Sequence, residues 1–557
     1  YRKFLTPDRI SNFYALNDLF FQVLAHPVAD RITEMSDRFV EIPYLNSSLF
    51  EQSPLEVQFF RVRELRGGRM DVFLSTRVHD ESRRRFSGKL PVLEYLLRFL
   101  DAYDFSGNPL PDDADEEDAK TIINASVLGI IFEKINGYKD GAFFTPSSLS
   151  EYMCREVIRR AVVDKFNEAY ADRNMHFPDF QALIDNLPTD KNARGEANRI
   201  INSIRICDPS VGSGHFLVSA LNELLVVKYE LGCLSYAGSG NRVKEYDIQI
   251  QNDELIVRDP EDGIFKYKRG GGGYNLQKTL YEEKRVIIEN CLFGVDVNIK
   301  SVEICRLRLW IELLKNAYYE NGKLQTLPNI DINIKCGNSL LSKYPVCVGE
   351  GILNPDKPEL LHEYISLVQD YKDCNDKRRK ALMEQRRKEL TTGEMVLDAV
   401  YRSLFDTQVS PQVMASTLDW MLVFPEVLDR KGRFTGFDII IGNPPYINMQ
   451  SLPEMSDVYA NLERRTIASE GSVTVKGRKD RVALYQTYSS SGDICTLFFE
   501  RGLQILKPHG YLCFITTSKW LRSDFGKQAR QFLTSQTNPI LLVDFPGQKL
   551  FAKATVE

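Results

Sequence analysis

Apolar positions early in the chain recur at helical spacing. Leu93, Leu96, Leu97 and Leu100 fall on one face of a helix expected over 90–100, with Pro91 suiting its first turn. Residues 12–24 read the same way, and Met70 to Val78 is more strand-like. Residues 119–200 read as helical, with Val127, Leu128, Ile130, Ile131 and Phe132 clustered before a loop. From residue 201 the pattern changes to short apolar runs, each followed by a turn and a helix. That rhythm predicts an α/β fold, a Rossmann-like doubly wound sheet with a helical N-terminal domain and a helical insertion. Two stretches interrupt it. Residues 347–432 are mostly helical and carry the basic run Lys377–Lys388, which reads as an exposed helix or hairpin or as a DNA-contacting helix. Residues 448–490 are polar and non-periodic, with Arg464, Arg465, Lys476, Arg478, Lys479 and Arg481. Loops this long are functional or disordered as a rule. Gly270–Gly273 marks another flexible loop, and no Lys-Ser/Thr follows it to make a phosphate cradle.

These shifts suggest five segments: an N-terminal mixed domain (1–118), a helical connector (119–200), the first half of a core (201–346), the helical insertion (347–432) and the second half (433–557). The acidic stretch Pro111 to Asp118 sets the first boundary, as a solvated linker or helix start. In residues 1–115, Arg61, Arg63, Arg66, Arg69 and Arg83–Arg85 make a basic region, either a solvated surface or a phosphate-facing patch. Over 557 residues, 71 basic and 76 acidic side chains leave a net charge of −5, so a strongly basic coat is absent although a local basic groove is allowed. No apolar run reaches the ~20 residues of a membrane helix. The ten cysteines are scattered, with no Cys-x-x-Cys pair. They read as reduced thiols of a cytosolic protein, with no metal site expected. The chain begins at Tyr1 and its last residues look like the middle of an element, as expected of a piece of a longer protein.

Three strand ends carry candidate chemistry. A short strand runs into Asp208, then Pro209, Ser210, a turn at Gly212 and Gly214, and a helix from His215 through Leu225. The glycines let a ligand approach the backbone, and the acid favours a cationic, nucleoside-bearing ligand over a pyrophosphate. A second strand ends in Asp296, placed either to chelate ribose hydroxyls or to cap the helix from Ser301 to Leu314. A third, Ile332 to Gly337, delivers Asn338, which suits an adenine edge or an ordinary turn. The sharpest signal is the buried run Asp438–Ile441 ending in Gly442-Asn443-Pro444-Pro445-Tyr446. The Asn443 side-chain oxygen and the Pro444 carbonyl can both accept from one amino group, raising the nucleophilicity of its nitrogen. Pro444 and Pro445 remove competing N–H groups. Tyr446 offers a face for a planar group.

Asn443 to Tyr446, taken with Asp208 to Phe216, resembles the amino-methyltransferases, and among them the large gamma-class DNA adenine-N6 methyltransferases of restriction–modification and phage-exclusion systems. The motifs span about residues 120–557, and 43–50 looks like a segment common in the large relatives. The resemblance implies S-adenosyl-L-methionine as cofactor. It implies contacts from Phe144, Thr145 and Pro146 of Gly141-Ala-Phe-Phe-Thr-Pro on the methionine side, and from Asp208, Pro209, Ser210, Gly212, Gly214 and Phe216 around it. It implies Asp296 at the ribose. Asn338 sits where many relatives carry an acid beside the cofactor adenine. Asn443, Pro444, Pro445 and Tyr446 match the catalytic motif. Gly492 to Gly502 and Gly510 to Thr516 match the later helix and strand. Phe551 matches the aromatic that packs on the flipped base; core packing is its other reading.

The resemblance thus implies a prokaryotic cytoplasmic enzyme that flips adenine out of double-stranded DNA and methylates its N6. The recognition domain, fused or separate, is expected beyond the chain. Three other functions compete. A protein or RNA amino-methyltransferase would share the Asn-Pro-Pro-Tyr motif but is usually smaller and lacks the Phe-Phe-Thr-Pro segment. A bifunctional restriction–methylation enzyme would need a nuclease core, and residues 1–115 hold no convincing one. A DNA-binding scaffold with a dead pocket is disfavoured by the intact motif.

Overall fold

In the computed structural model the apolar runs after residue 201 become the strands of one sheet. The structure describes residues 5–103, apart from scattered positions between 33 and 60 and residues 74 and 81–83. It describes residue 131, residues 145–259 without 189 and 252, and residues 263–545. Within that last range 268–272, scattered positions between 322 and 355, 375, 393–394, 397–410 and scattered positions between 454 and 483 are excepted. Most of 119–144, including Phe144, and Phe551 lie outside the described residues.

Chain contacts divide the protein into two units. The first holds residues 1–128, 256–281 and 310–329. Its core gathers Ile10, Leu16, Val23, Phe39, Ile42, Leu93 and Leu97. The helix expected over 12–24 begins at Phe13, where the Asn12 side chain accepts from the Ala15 N–H at 2.9 Å. After Asp18 it widens into a π-helical turn through Leu24. The expected helix over 90–100 runs from Val92 to Ala102 with Pro91 as its cap. Leu93 and Leu97 enter the core, but Leu96 is 43% exposed. Tyr95 is buried instead, in a second cluster with Val72, Val78 and Leu90. Four leucines at helical spacing overstate the width of the buried stripe when two clusters share one helix. Only Arg69–Asp71 of the strand-like stretch enters a ladder, against Lys89–Pro91.

The second unit holds residues 129–255, 282–309 and 330–557. Its sheet contains β1 (Ile206–Asp208), β2 (Leu292–Asp296), β3 (Ile334–Cys336), β4 (Phe437–Gly442) and β5 (Leu506–Phe514). The spatial order is β3-β2-β1-β4-β5, and every neighbouring pair is parallel. This is an open α/β sheet whose strand order reverses between β1 and β4. In such sheets ligands bind at the carboxyl ends beside that reversal. The residues at those ends are Asp208, Asp296, Asn338 and Asn443.

Strands β1 and β4 are wholly buried and β2 nearly so, and buried parallel strands need no polar alternation. All of β4 is buried. Its one charge, Asp438, accepts from the Arg205 N–H at 2.8 Å and pairs with Lys165 at 2.9 Å, which makes its burial tolerable. The ladder between β4 and β5 shifts register after Phe437: Leu506 lies opposite Phe437, and Tyr511 lies opposite Ile439. The residues between them include His509 with φ of 65°.

Helices among the described residues include α1 (Ser147–Ala169), α2 (Lys191–Asn202), α3 (His215–Glu230), α4 (Ile299–Lys315), α5 (Pro358–Asp373), α6 (Lys377–Thr392) and α7 (Cys495–Ile505). Helix α1 packs on β4, β5 and α3. Cys207, Phe293, Val295 and Ile440 from the strands join Leu361, Tyr364 and Val368 of α5, with Trp420 and Phe424, in one cluster. Residues 377–388, read as exposed helix, hairpin or DNA contact, form α6 of a hairpin with α5. Arg386 is committed to Glu363 at 2.7 Å and Arg387 to Glu384 at 2.6 Å. These pairs occupy two of the cations that a DNA-contacting helix would offer to phosphates. The third strand starts two residues later than expected, because Ile330–Ile332 turn as a 3-10 segment. Among the described residues no helix is long and apolar enough to cross a membrane.

Candidate active site

The Asp208 carboxylate closes β1 and is 1% exposed. Its Oδ1 accepts from the Ser210 N–H at 2.9 Å. Burial outweighs that bond and pushes its pKa up to about 8, with Asp296 adding repulsion. A carboxyl group held that way is mostly protonated at neutral pH, and a cationic amine placed beside it would favour its charged form. Gly442, at the end of β4, passes directly beside it: a Cβ there would lie 2.5 Å from Asp208 Oδ1. The reversal point of the sheet therefore admits only glycine at 442.

The loop after Asp208 is anchored mainly through the backbone. The Gly212 N–H donates to Asp296 Oδ2 at 3.0 Å, and the Val211 N–H to the Val295 carbonyl at 2.8 Å. Asp296 Oδ1 accepts from the Asn298 N–H at 2.8 Å. Asp296 thus holds the loop and turns the chain toward α4, but the helix cap read from the sequence falls to Asn298, whose Oδ1 accepts from the Lys300 N–H at 3.0 Å. Gly214 caps α3 with φ of 80°, and a Cβ on it would lie 2.6 Å from Cys305 Sγ. Phe216, in the first turn of α3, is 3% exposed.

A buried polar cluster backs the loop. The Arg308 guanidinium donates to the Ser213 carbonyl at 3.2 Å and lies 3.4 Å from His215 Nδ1. With Nδ1 accepting, His215 Nε2 donates to Ser150 Oγ at 3.0 Å. Burial and the Arg308 charge hold His215 down to a pKa of about 3, so it stays neutral. The Ser219 hydroxyl donates to Asp253 Oδ1 at 2.6 Å. Ser150, His215 and Asp253 have the residue types of a hydrolase triad but are 0%, 5% and 4% exposed, which leaves a substrate no access.

Asn338 is half-buried past the end of β3. Its Oδ1 accepts from the Leu340 N–H at 3.0 Å, and its Nδ2 donates to the Tyr459 hydroxyl at 3.5 Å. Ser339 Oγ donates to the Pro209 carbonyl at 2.5 Å, joining this strand end to the Asp208 loop. Tyr459 and Tyr485 meet edge to face, and the buried Arg501 donates to the Tyr485 hydroxyl at 2.9 Å and to the Leu340 carbonyl at 3.1 Å.

At the catalytic motif, Asn443 is half-buried and Pro444 buried. Asn443 Nδ2 donates to Thr145 Oγ1 at 3.2 Å. The Tyr446 hydroxyl contacts Asn443 Oδ1 and lies 3.1 Å from the Ile515 carbonyl past β5. Burial raises the Tyr446 pKa, so the phenol keeps its proton.

The residues singled out from the sequence therefore gather at one sheet edge: Thr145 with Asn443 and Tyr446, Asp208 with Ser210 and Gly442, Gly212 with Asp296. Pro146 caps α1 beside Thr145. Sequence reading missed Ser339, Arg308, Asp253, Tyr459 and Ile515. Ser339 had a signal, being the neighbour of Asn338 in Gly-Asn-Ser-Leu. The others reach the site only through tertiary packing.

The fold is an open parallel α/β sheet with the candidate residues at its carboxyl edge, and known proteins resemble the chain. Residues 290–551 match the family described as Eco57I restriction-modification methylase, and residues 1–123 match a domain of unknown function. A putative type II restriction enzyme and methyltransferase of Methanocaldococcus jannaschii, RM.MjaORFECS2P, is 25% identical over 93% of this chain and 42% of its own length. The adenine-specific methyltransferase BrxX of Escherichia coli O9:H4 is 19% identical over 92% of this chain and 39% of its own length. A solved complex of the type IIL enzyme MmeI with DNA superimposes with a TM-score of 0.41 and 12% identity, over 95% of this chain and 45% of that one. The chain spans less than half the length of these relatives.

Proposed function

We propose that this chain is the methyl-transferring part of a DNA adenine-N6 methyltransferase of restriction–modification or phage defence. One observation carries the reading. The Asn443 carboxamide and the Pro444 carbonyl stand at the carboxyl end of β4, beside the strand reversal and in contact with Thr145 from a segment 298 residues away. Asn443 Oδ1 and the Pro444 carbonyl together accept the two protons of one exocyclic amino group. Both acceptors draw the nitrogen lone pair out of the ring and aim it toward the Asp208 side of the crevice. No side chain needs to take up a covalent bond; positioning supplies the rate.

The residues fit S-adenosylmethionine. A buried carboxyl group at Asp208, a Cβ-free wall at Gly442 and a second acid at the next strand end match an amino acid joined to a nucleoside. Asp208 would hold the ammonium, Asp296 the ribose hydroxyls and Asn338 the adenine edge. Thr145 and Pro146, with Phe144 before them, would close over the methionine end. The cofactor supplies an electrophilic methyl group when bound. Tyr446 offers one ring to the extruded base, and Phe551 is its proposed counterpart. Double-stranded DNA is the proposed substrate, recognised by a further domain or subunit. The basic stretch Arg464–Arg481 is proposed to contact phosphates.

The test expresses the full-length parent and its Asn443→Ala form in cells lacking adenine methylation, with N6-methyladenine quantified by mass spectrometry. Signal from the parent alone is expected. No signal from either, with cofactor still bound by the purified protein, moves the reading to RNA or protein substrates.

A further inference from the structure

Two side chains meet Asn443 at the catalytic corner, Thr145 from outside the Asn-Pro-Pro-Tyr motif and Tyr446 from within it. They act on opposite ends of one carboxamide. Nδ2 of Asn443 faces Thr145 Oγ1 at 3.2 Å, and Oδ1 faces the Tyr446 hydroxyl. A carboxamide can be turned over by half a turn at little cost when nothing distinguishes its ends. Turned over, Asn443 would present two N–H donors to an amino group that is itself a donor. The transfer would then lose an acceptor and gain a repulsion. Each hydroxyl can donate or accept, so one orientation is favoured by the pair acting together, Tyr446 as donor to Oδ1 and Thr145 as acceptor from Nδ2.

Tyr446 acts from one side. Its phenol keeps its proton and the neighbouring Ile515 carbonyl can only accept, so the hydroxyl can serve either oxygen as a donor. Oδ1 has two lone pairs, so an incoming amino group shares that oxygen with the hydroxyl or replaces it there. Thr145 acts from the other side, away from the acceptor, and keeps its bond throughout. Thr145 is 4% exposed and sits one residue before the Pro146 cap of the 23-residue helix α1, which packs on β4 and β5. Its hydroxyl is therefore held by a rigid element that leans on the same strand as Asn443.

We propose that Thr145 is a positioning residue for the reaction: its hydroxyl accepts from Asn443 Nδ2 and so fixes Oδ1 toward the target amino group. This rests on the reading of Asn443 as the acceptor of that group. It gives Thr145 a task separate from contact with the cofactor.

The experiment compares the full-length protein with Thr145→Val and Thr145→Ser. Valine keeps the shape and removes the hydroxyl; serine keeps the hydroxyl. With Thr145→Val, kcat is expected to fall about 10–100-fold, the scale for a misoriented catalytic group. The calorimetric Kd for S-adenosylhomocysteine is expected to stay within about threefold, and serine to restore kcat to within about threefold. Equal losses in Kd and kcat would make Thr145 a cofactor contact only. Unchanged kcat in the valine form, or a serine form as slow as valine, would overturn the positioning role. A second measurement needs no turnover. The shifts in thermal midpoint for Thr145→Val, Asn443→Leu and the double variant are expected to be non-additive by about 1–3 °C. Additive shifts would sink the hydrogen bond itself. Non-additive shifts in a parent that methylates no DNA would instead leave the hydrogen bond standing and remove the adenine-methylation reading.

Discussion

The two halves of the sheet edge are held in different ways. On the β1–β2 side the groups that face the crevice are fixed mainly by backbone: N–H groups of Ser210, Gly212 and Asn298 donate to Asp208 and Asp296. On the β4 side Asn443 is fixed by side chains, Thr145 and Tyr446. A backbone donor survives substitution of its own side chain, whereas a side-chain partner is lost with one mutation. The binding half should therefore tolerate changes around it, and the transferring half should fail at single positions while its cofactor still binds.

The sharpest break is Asn443→Ala. Transfer should fall by about 10²–10³-fold or more, the scale for removing one preorganised hydrogen-bonding group, with cofactor affinity within about threefold. A matching loss of affinity would erase the contrast between the halves. Gly442→Ala should invert the pattern. Its new Cβ, 2.5 Å from Asp208 Oδ1, must displace the carboxylate or the strand. Cofactor affinity should drop about tenfold or more, with a stability loss of about 1–3 kcal/mol from overpacking. Calorimetry and a denaturant titration read the two effects.

Titration of Asp208 sharpens the contrast further. Its folded pKa is raised to about 8, so below that value it holds a proton that a cationic ligand must expel. Cofactor binding should tighten as pH rises from 6 toward 8, by up to about tenfold per unit, and release protons. In the free protein the sign is opposite. The raised pKa makes the folded state the stronger proton binder, so this group's contribution to stability declines as pH rises from about 4 through about 8. A pH-independent Kd over this range would remove Asp208 from the ammonium site. The smallest effect belongs to Tyr446. Replacement by Ala should slow transfer about 10–100-fold if its ring stacks on the base, and replacement by Phe by less than about fivefold. Equal effects would assign the hydroxyl, not the ring, to catalysis.

Much of this edge was legible in the sequence because each strand end carries its own local signature. Asp208, Asp296 and Asn443 each close a short apolar run, and such runs have few foldings open to them. The order in space was less legible, since nothing local says that β4 lies against β1. The partners of Asn443 and Asn338 were hidden for the same reason: Tyr459 lies 121 residues from Asn338. Asp253 gave no sign at all, because its burial depends on a turn with φ of 64° packed against α3. In the first unit the exposed Leu96 shows the opposite failure. Periodicity there was real but served two clusters at once.

The placement of β1 between β2 and β4 has a consequence for synthesis. About 146 residues separate the end of β2 from the end of β4, and a ribosome adds roughly 5–20 residues per second. For about 7–30 s, then, a nascent chain can hold β1 beside β2 with the other flank of β1 bare. That flank is an unpaired apolar strand edge, the kind that seeds aggregation. Production of this protein should depend on elongation speed across the helical hairpin of α5 and α6, and slow codons there should lower the soluble yield.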